Sequence, residues 1–220
     1  MIRNKLIRNL FFAVAAVAVV LIGIYAYYGG YSRVEFVEDY RPGGYLVPIT
    51  VSAQNPYEIA GTLLDSLMSD LSEVGVDTLS PLMSVFYPYD GGEDSLLHYM
   101  AGFLVTSEEA ERIPEEHDVI SLSPYASLSA YWEHKGQMSV IIGLHKMHTA
   151  LADLAEDDVV EQRPTVSVLD ARNSELYYGI ARGDDREYFV DLWKRLSGNE
   201  QADGEPLDDS AVSEEDQEAL

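Results

Sequence analysis

The chain has 220 residues, with 38 Asp and Glu against 14 Lys and Arg and a formal net charge of −24. That balance argues against a phosphate-binding surface, and so against nucleic acid as a partner; 47% hydrophobic residues argue against a simple acidic disordered chain. No cysteine is present, which excludes disulfides, thiolate zinc sites, cysteine nucleophiles and acylated lipoprotein anchors and leaves the redox compartment open.

The charge is unevenly spread. Residues 1–30 carry Arg3, Lys5 and Arg8 and no acid, residues 31–197 carry 11 bases and 29 acids, and residues 198–220 carry nine acids and no base. These blocks read as an N-terminal anchor, a folded domain with a C-terminal helix, and an acidic disordered tail. From Leu10 to Tyr28 every residue is apolar, Gly or Tyr. At ~1.5 Å per residue such a helix spans roughly the 30 Å core of a bilayer, and Tyr25, Tyr27 and Tyr28 suit the headgroup level. A cleaved signal peptide would have a shorter apolar core and a small-residue cleavage site, where this chain has Tyr-Ala-Tyr-Tyr. The expectation is an uncleaved single-pass anchor contacting lipid through residues 10–28. Its basic N-terminal flank implies a cytoplasmic N-terminus and an extracytoplasmic domain.

Past the anchor, Val34 to Val37 and Tyr45 to Val51 read as strands split by the turn Arg41-Pro42-Gly43-Gly44. Asn55, Pro56 and Glu58 announce a helix with a capping box, Ile59 to Leu71 continue it at helical spacing, and Gly75 ends it. Leu82 to Tyr89 and His98 to Val105 read as strands around a turn at Asp90-Gly91-Gly92. The stretch Thr106 to Tyr125 reads as a solvated acidic connector with a short helix that Ser107 could cap. The order then repeats: a strand over Ser127 to His134, a connection at Lys135-Gly136-Gln137, a helical stripe from Val140 to Leu154, and strands at Pro164 to Leu169 and Leu176 to Ala181 around Ala171-Arg172-Asn173. The halves superpose at an offset of about 82 residues. Two strand-helix-strand-strand units sharing one core predict an α+β domain with an antiparallel sheet. Asp185 to Leu196 reads as a last amphipathic helix.

Sites of chemistry are scarce. His145 and His148 share a helix face, with Asp153 and Glu156 further along, but no ligand pattern is complete and no metal is expected. Asp90-Gly91-Gly92-Glu93-Asp94 lacks the spacing of a calcium loop. No phosphate loop and no Gly-x-Ser-x-Gly elbow occurs. The chain therefore reads as non-enzymatic, with no catalytic residue and no cofactor. Its acidity, with only four lysines, fits either a salty working environment or a funnel for cationic ligands.

A doubled unit of this size resembles the GyrI-like small-molecule-binding domains. The residues behind this resemblance are Tyr45-Leu46-Val47-Pro48-Ile49, Val85-Phe86-Tyr87-Pro88, Trp132-Glu133-His134-Lys135-Gly136 and Arg163-Pro164-Thr165-Val166-Ser167-Val168-Leu169, over roughly residues 34–183. An anchor ahead of such a domain is similar in layout to a testis-expressed ER-phagy receptor, but residues 198–220 hold no Trp, Tyr or Phe and so lack an aromatic-x-x-aliphatic recruitment motif. The GyrI-like resemblance implies a groove between the repeats for a small amphipathic, often cationic, molecule, and rings suit that role through apolar area and a negative face. Phe86, Tyr87, Tyr99, Tyr131, Trp132 and Tyr178 are the candidate ligand-binding residues. Many members carry Glu-x-Tyr in the penultimate strand, where this chain has Ser167-Val168-Leu169. That departure counts against hydrolysis and against cation pairing by a buried carboxylate. The reading is a membrane-anchored binder of a small amphipathic molecule, with a membrane-tethered adaptor for a membrane-proximal protein as one alternative and a degenerate hydrolase as another.

Overall fold

The structure is a computed structural model and describes residues 2–87, 96–154 and 163–197. It opens with α1 (Ile2–Tyr27), whose segment Ile7–Tyr27 is long and apolar enough to cross a membrane and is not buried against the rest of the chain. A Schellman motif ends α1: the Gly30 N–H bonds the Tyr25 carbonyl at 2.8 Å, and the Gly29 N–H bonds that of Ala26 at 3.1 Å. The chain docks immediately afterwards. Gly29 lies against the indole of Trp132, and the Lys146 ammonium donates to the carbonyls of Gly30 and Ser32 at 2.7 and 2.5 Å. A cation is favoured at that end of a helix.

β1 (Val37–Arg41) leads into the first unit, made of β2 (Gly44–Ala53), α2 (Pro56–Glu73), β3 (Leu82–Phe86) and β4 (Leu97–Val105). A connector with α3 (Ser107–Ala110) and β5 (Ile120–Leu122) joins it to the second unit, β6 (Tyr125–Glu133), α4 (Gln137–Leu154), β7 (Thr165–Asp170) and β8 (Glu175–Ala181). A short 3-10 turn precedes α5 (Tyr188–Leu196). α2 and α4 are each 18 residues long and begin 81 residues apart. The chain is therefore α+β, built on the duplication that its sequence predicts.

The eight strands form one antiparallel sheet in the order β1-β6-β8-β7-β3-β4-β2-β5. β7 and β3 pair across the repeats at its centre, with Val168 opposite Met83 and Val166 opposite Val85. Connectivity forces this sheet to curl. β1 and β2 stand six strand spacings apart, roughly 29 Å in a flat sheet, yet Pro42 and Gly43 alone join them, a reach of about 11 Å at most. Ser123 and Pro124 impose the same closure between β5 and β6. Two glycines let neighbouring backbones close in on the concave side. A Cβ at Gly102 would lie 2.2 Å from the Val47 carbonyl oxygen, and one at Gly179 would lie 2.5 Å from that of Leu128.

Strand alternation sorts the core into two faces. On the convex face, α2 covers Val47, Phe103 and Val105, and α4 covers Ala130, Leu176 and Ile180. The concave face carries Leu46, Met83, Val85, Met100, Val166, Val168 and Tyr177, and receives Phe189 and Leu192 of α5. Both of those α5 side chains are 1% exposed, and their burial contributes about 3–6 kcal/mol as an upper estimate.

Local differences from the sequence reading have local causes. β1 begins at Val37, because Val34 and Phe36 pack against the α4 side of the sheet instead. Pro56 opens α2 as expected, but Asn55 makes no side-chain cap bond; it sits at ψ 84°. Thr106 does cap, at ψ 164°, and closes a capping box with Glu109, so the short connector helix is capped by Thr106 rather than Ser107. The acidic connector also supplies β5, which covers the outer edge of β2. Gly75 ends α2 as expected, in a Schellman motif with Val76 N–H bonding the Leu71 carbonyl at 3.0 Å. The expected turn at 90–92, Glu156 and the tail 198–220 lie outside the described residues.

Candidate functional site

One end of the concave face is filled by α5. The Tyr87 hydroxyl donates to the Phe189 carbonyl at 2.9 Å, and the Tyr188 hydroxyl accepts from the Ser123 N–H at 2.8 Å. Just before α5, Asp185 accepts from the Ala126 N–H at 2.8 Å. The Trp193 ring lies 4.8 Å from that of Tyr87 and 5.0 Å from that of His98. Burial here pushes the Tyr87 phenol well above its ordinary range.

Beside the Pro42–Gly43 crossover a cleft of about 340 Å³ stays open. Met83, Leu104, Leu122 and Val168 give it an apolar floor contributed by both repeats, while Arg41, Asp77, Glu109, Tyr125 and Arg172 form its polar rim. The rim acids are already engaged. Asp77 pairs with Arg172 and accepts from the Leu79 N–H at 2.8 Å. Glu109 accepts from the N–H and hydroxyl of Thr106 at 2.8 and 2.9 Å and from the Asp77 N–H at 3.2 Å. These bonds hold both carboxyls below their usual range, the Leu79 N–H acting most on Asp77 and the Thr106 N–H most on Glu109.

Arg41 stands at the junction of the cleft with a cluster of tyrosines. Its guanidinium carbon lies 4.2 Å from the Tyr177 ring centroid and 5.9 Å from that of Tyr131, and Tyr125 is its cross-strand neighbour. Arg41 Nη1 donates to the Tyr131 hydroxyl at 2.9 Å and lies 3.7 Å from Asp39 Oδ2. The Tyr131 hydroxyl donates to the same Asp39 carboxylate, and this bond is the main reason the Asp39 carboxyl is held below its usual range. Burial raises the Tyr125 and Tyr177 phenols. Among the described residues the buried hydroxyls of Tyr177 and Ser129 have no hydrogen-bond partner.

The six aromatic candidates are dispersed over these surfaces. Phe86 and Tyr99 lie on the α2 side, with rings 4.9 Å apart and Tyr57 against both; the Tyr99 hydroxyl donates to Ser84. Trp132 and Tyr178 are buried on the α4 side. Tyr87 lies under α5, and Tyr131 is partly open beside Arg41, at 39% exposure. Tyr131 and Trp132 also border a shallow depression with Glu133 and Glu175. Adjacent residues on a strand face opposite ways, so the side chains of Phe86 and Tyr87 point to opposite faces of the sheet, as do those of Tyr131 and Trp132. Arg41, Asp39, Tyr125 and Tyr177 are not among the candidates that the sequence offers for the site. Strand alternation ties the two neighbours together: with Tyr178 turned toward α4, Tyr177 faces the groove.

His145 and His148 are both exposed on α4, and no group of three metal-ligating side chains converges among the described residues.

Fold and site together define a duplicated α+β domain with a partly occupied groove. By sequence the chain matches no protein family and no curated protein. It is similar in structure to SAV2435 bound to tetraphenylphosphonium, at a TM-score of 0.46 and 15% identity over 70% of this chain and 98% of that one. An integron cassette protein of Vibrio cholerae gives a TM-score of 0.46 at 10% identity, over 68% and 98% of the two chains. A hydrolase from Listeria innocua gives 0.37 at 11% identity, over 68% and 93%. None of these carries a residue or an activity over to this chain.

Proposed function

We propose that this protein is a membrane-anchored, non-enzymatic binder of a small amphipathic molecule, held in the cleft where the two repeats meet. The observation that carries this reading is the cleft itself, with space of about 340 Å³ between an apolar floor and a polar rim. Small-ligand sites combine apolar walls with a few placed polar groups in this way. The rim supports binding without conversion, because Asp77 and Glu109 are engaged by Arg172 and by backbone and hydroxyl donors. α1 supplies the anchor, with Arg3, Lys5 and Arg8 on the cytoplasmic side and the domain outside. Among the six aromatic candidates, Tyr131 is the one partly open beside Arg41.

The test is thermal unfolding of the full chain in nanodiscs against neutral, cationic and anionic amphiphiles. A saturable rise in melting temperature that disappears when Val168→Trp fills the cleft floor supports the reading. Absence of any shift refutes it. The adaptor alternative is favoured by one observation: Tyr57, Ile59 and Leu63 stand exposed along α2, at 53%, 48% and 42%.

A further inference from the structure

An aromatic cluster next to an apolar cleft attracts cations in general, but here the chain supplies its own. The Arg41 guanidinium already faces Tyr177 and Tyr131, at 4.2 and 5.9 Å from their centroids. A second cation entering would meet a like charge at contact distance, offset in part by Asp39, whose Oδ2 lies 3.7 Å from Arg41 Nη1 on the side away from the unused donors' edge. The cluster is thus closed to the charge that its rings would otherwise favour.

Arg41 also keeps donors in reserve. Only Nη1 makes a hydrogen bond among the described residues, to the Tyr131 hydroxyl; Nε and Nη2 make none. The side chain is 24% exposed and lines the cleft. A rigid, planar guanidinium edge with two unused donors matches the two oxygens of a carboxylate. Arg41 is the rim cation that also stands against the tyrosine rings. Arg172 is held by Asp77, and Glu109 by three donors. The floor of Met83, Leu104, Leu122 and Val168 then takes an apolar body.

We infer that the ligand of this cleft is a small amphipathic anion, a carboxylate with a compact aryl or alkyl body, held by the outer edge of Arg41. The inference rests on the reading of the cleft as a ligand site and fixes the sign of its ligand.

Two probes of nearly equal shape and opposite charge test it: phenylbutyrate and phenylbutylamine, titrated calorimetrically into the full chain in nanodiscs, with empty nanodiscs as the blank. Wild-type chain binds the carboxylate and not the amine. Arg41→Ala weakens the carboxylate by about tenfold or more, the usual loss for a charged hydrogen-bonded pair, and opens the tyrosine cluster to the amine. Arg41→Lys, which keeps the charge without the fork, retains weakened carboxylate binding and still rejects the amine, so the outcome does not hang on one variant folding. Binding of the amine but not the carboxylate by wild type overturns the inference and leaves the cleft as a ligand site. Carboxylate binding unchanged in both variants also overturns it. If neither probe binds, the inference and the cleft reading fall together.

Discussion

Gly102→Ala tests the curl that creates the cleft. The added Cβ would sit 2.2 Å from the Val47 carbonyl oxygen and 2.8 Å from the Pro48 Cα, both backbone atoms of the adjoining strand. Neither can retreat by a side-chain rotation, so β2 must move outward by about an ångström along a ladder that pairs Tyr45 to Ala53 with Leu97 to Val105. Overpacking of this kind costs about 1–3 kcal/mol, and a backbone obstacle places it in the upper half of that range. Gly61→Ala is the matched control. Gly61 lies inside α2, nothing stands within 4 Å of its new Cβ, and the substitution gains about 0.8–1 kcal/mol of helix propensity. For a domain of this size 1 kcal/mol moves the midpoint by roughly 2–4 °C. Thermal unfolding followed by circular dichroism in detergent should show Gly102→Ala melting about 4–12 °C below wild type and Gly61→Ala about 2–4 °C above it. Gly179→Ala, at 2.5 Å from a backbone oxygen, should fall with Gly102→Ala. Equal midpoints for Gly102→Ala and wild type would refute the close-approach argument.

Three further outcomes are expected. Burial raises the phenols of Tyr87, Tyr99, Tyr125, Tyr177 and Tyr178. Above the unfolded tyrosine pKa of about 10 the native state therefore keeps protons that the unfolded chain releases; denaturant titrations should show stability level below that pH and falling above it, with a shallower fall in Tyr178→Phe. Lys146→Met removes the donors to Gly30 and Ser32; fluorescence anisotropy of a domain label in nanodiscs should reveal added wobble with the domain midpoint nearly unchanged, and identical decays would sink the docking argument. Because the chain has no cysteine, single cysteines at Asn4 and Glu115 can report orientation. An impermeant maleimide should label the second and spare the first in intact cells.

The duplication was legible because both helices carry apolar positions at helical spacing for the same 18 residues, beginning 81 residues apart. The site was less so. Residue type marks the rings but not their direction, and a pleated strand sends Phe86 to α2 and Tyr87 to α5. Arg41 read as part of a turn, since nothing in Arg41-Pro42-Gly43-Gly44 reveals that this turn joins two distant strands of one sheet. That is a property of strand order, which local periodicity does not encode. β5 was hidden in the same way, as three residues in an acidic stretch that gain order only by pairing with Gly44 to Leu46.

Nine residues separate α1 from β1. As a loose coil they would have an end-to-end distance of about 15–18 Å and would let the domain swing freely. Instead Gly29, Gly30, Ser32, Val34 and Phe36 are all fastened to the domain. Were α1 to sit in a bilayer, as proposed, the joint would act as a weld rather than a hinge. Turning the helix about its axis then turns the whole domain with it, as a key turns a bolt, and torque can pass between membrane and cleft without any change in the distance between them.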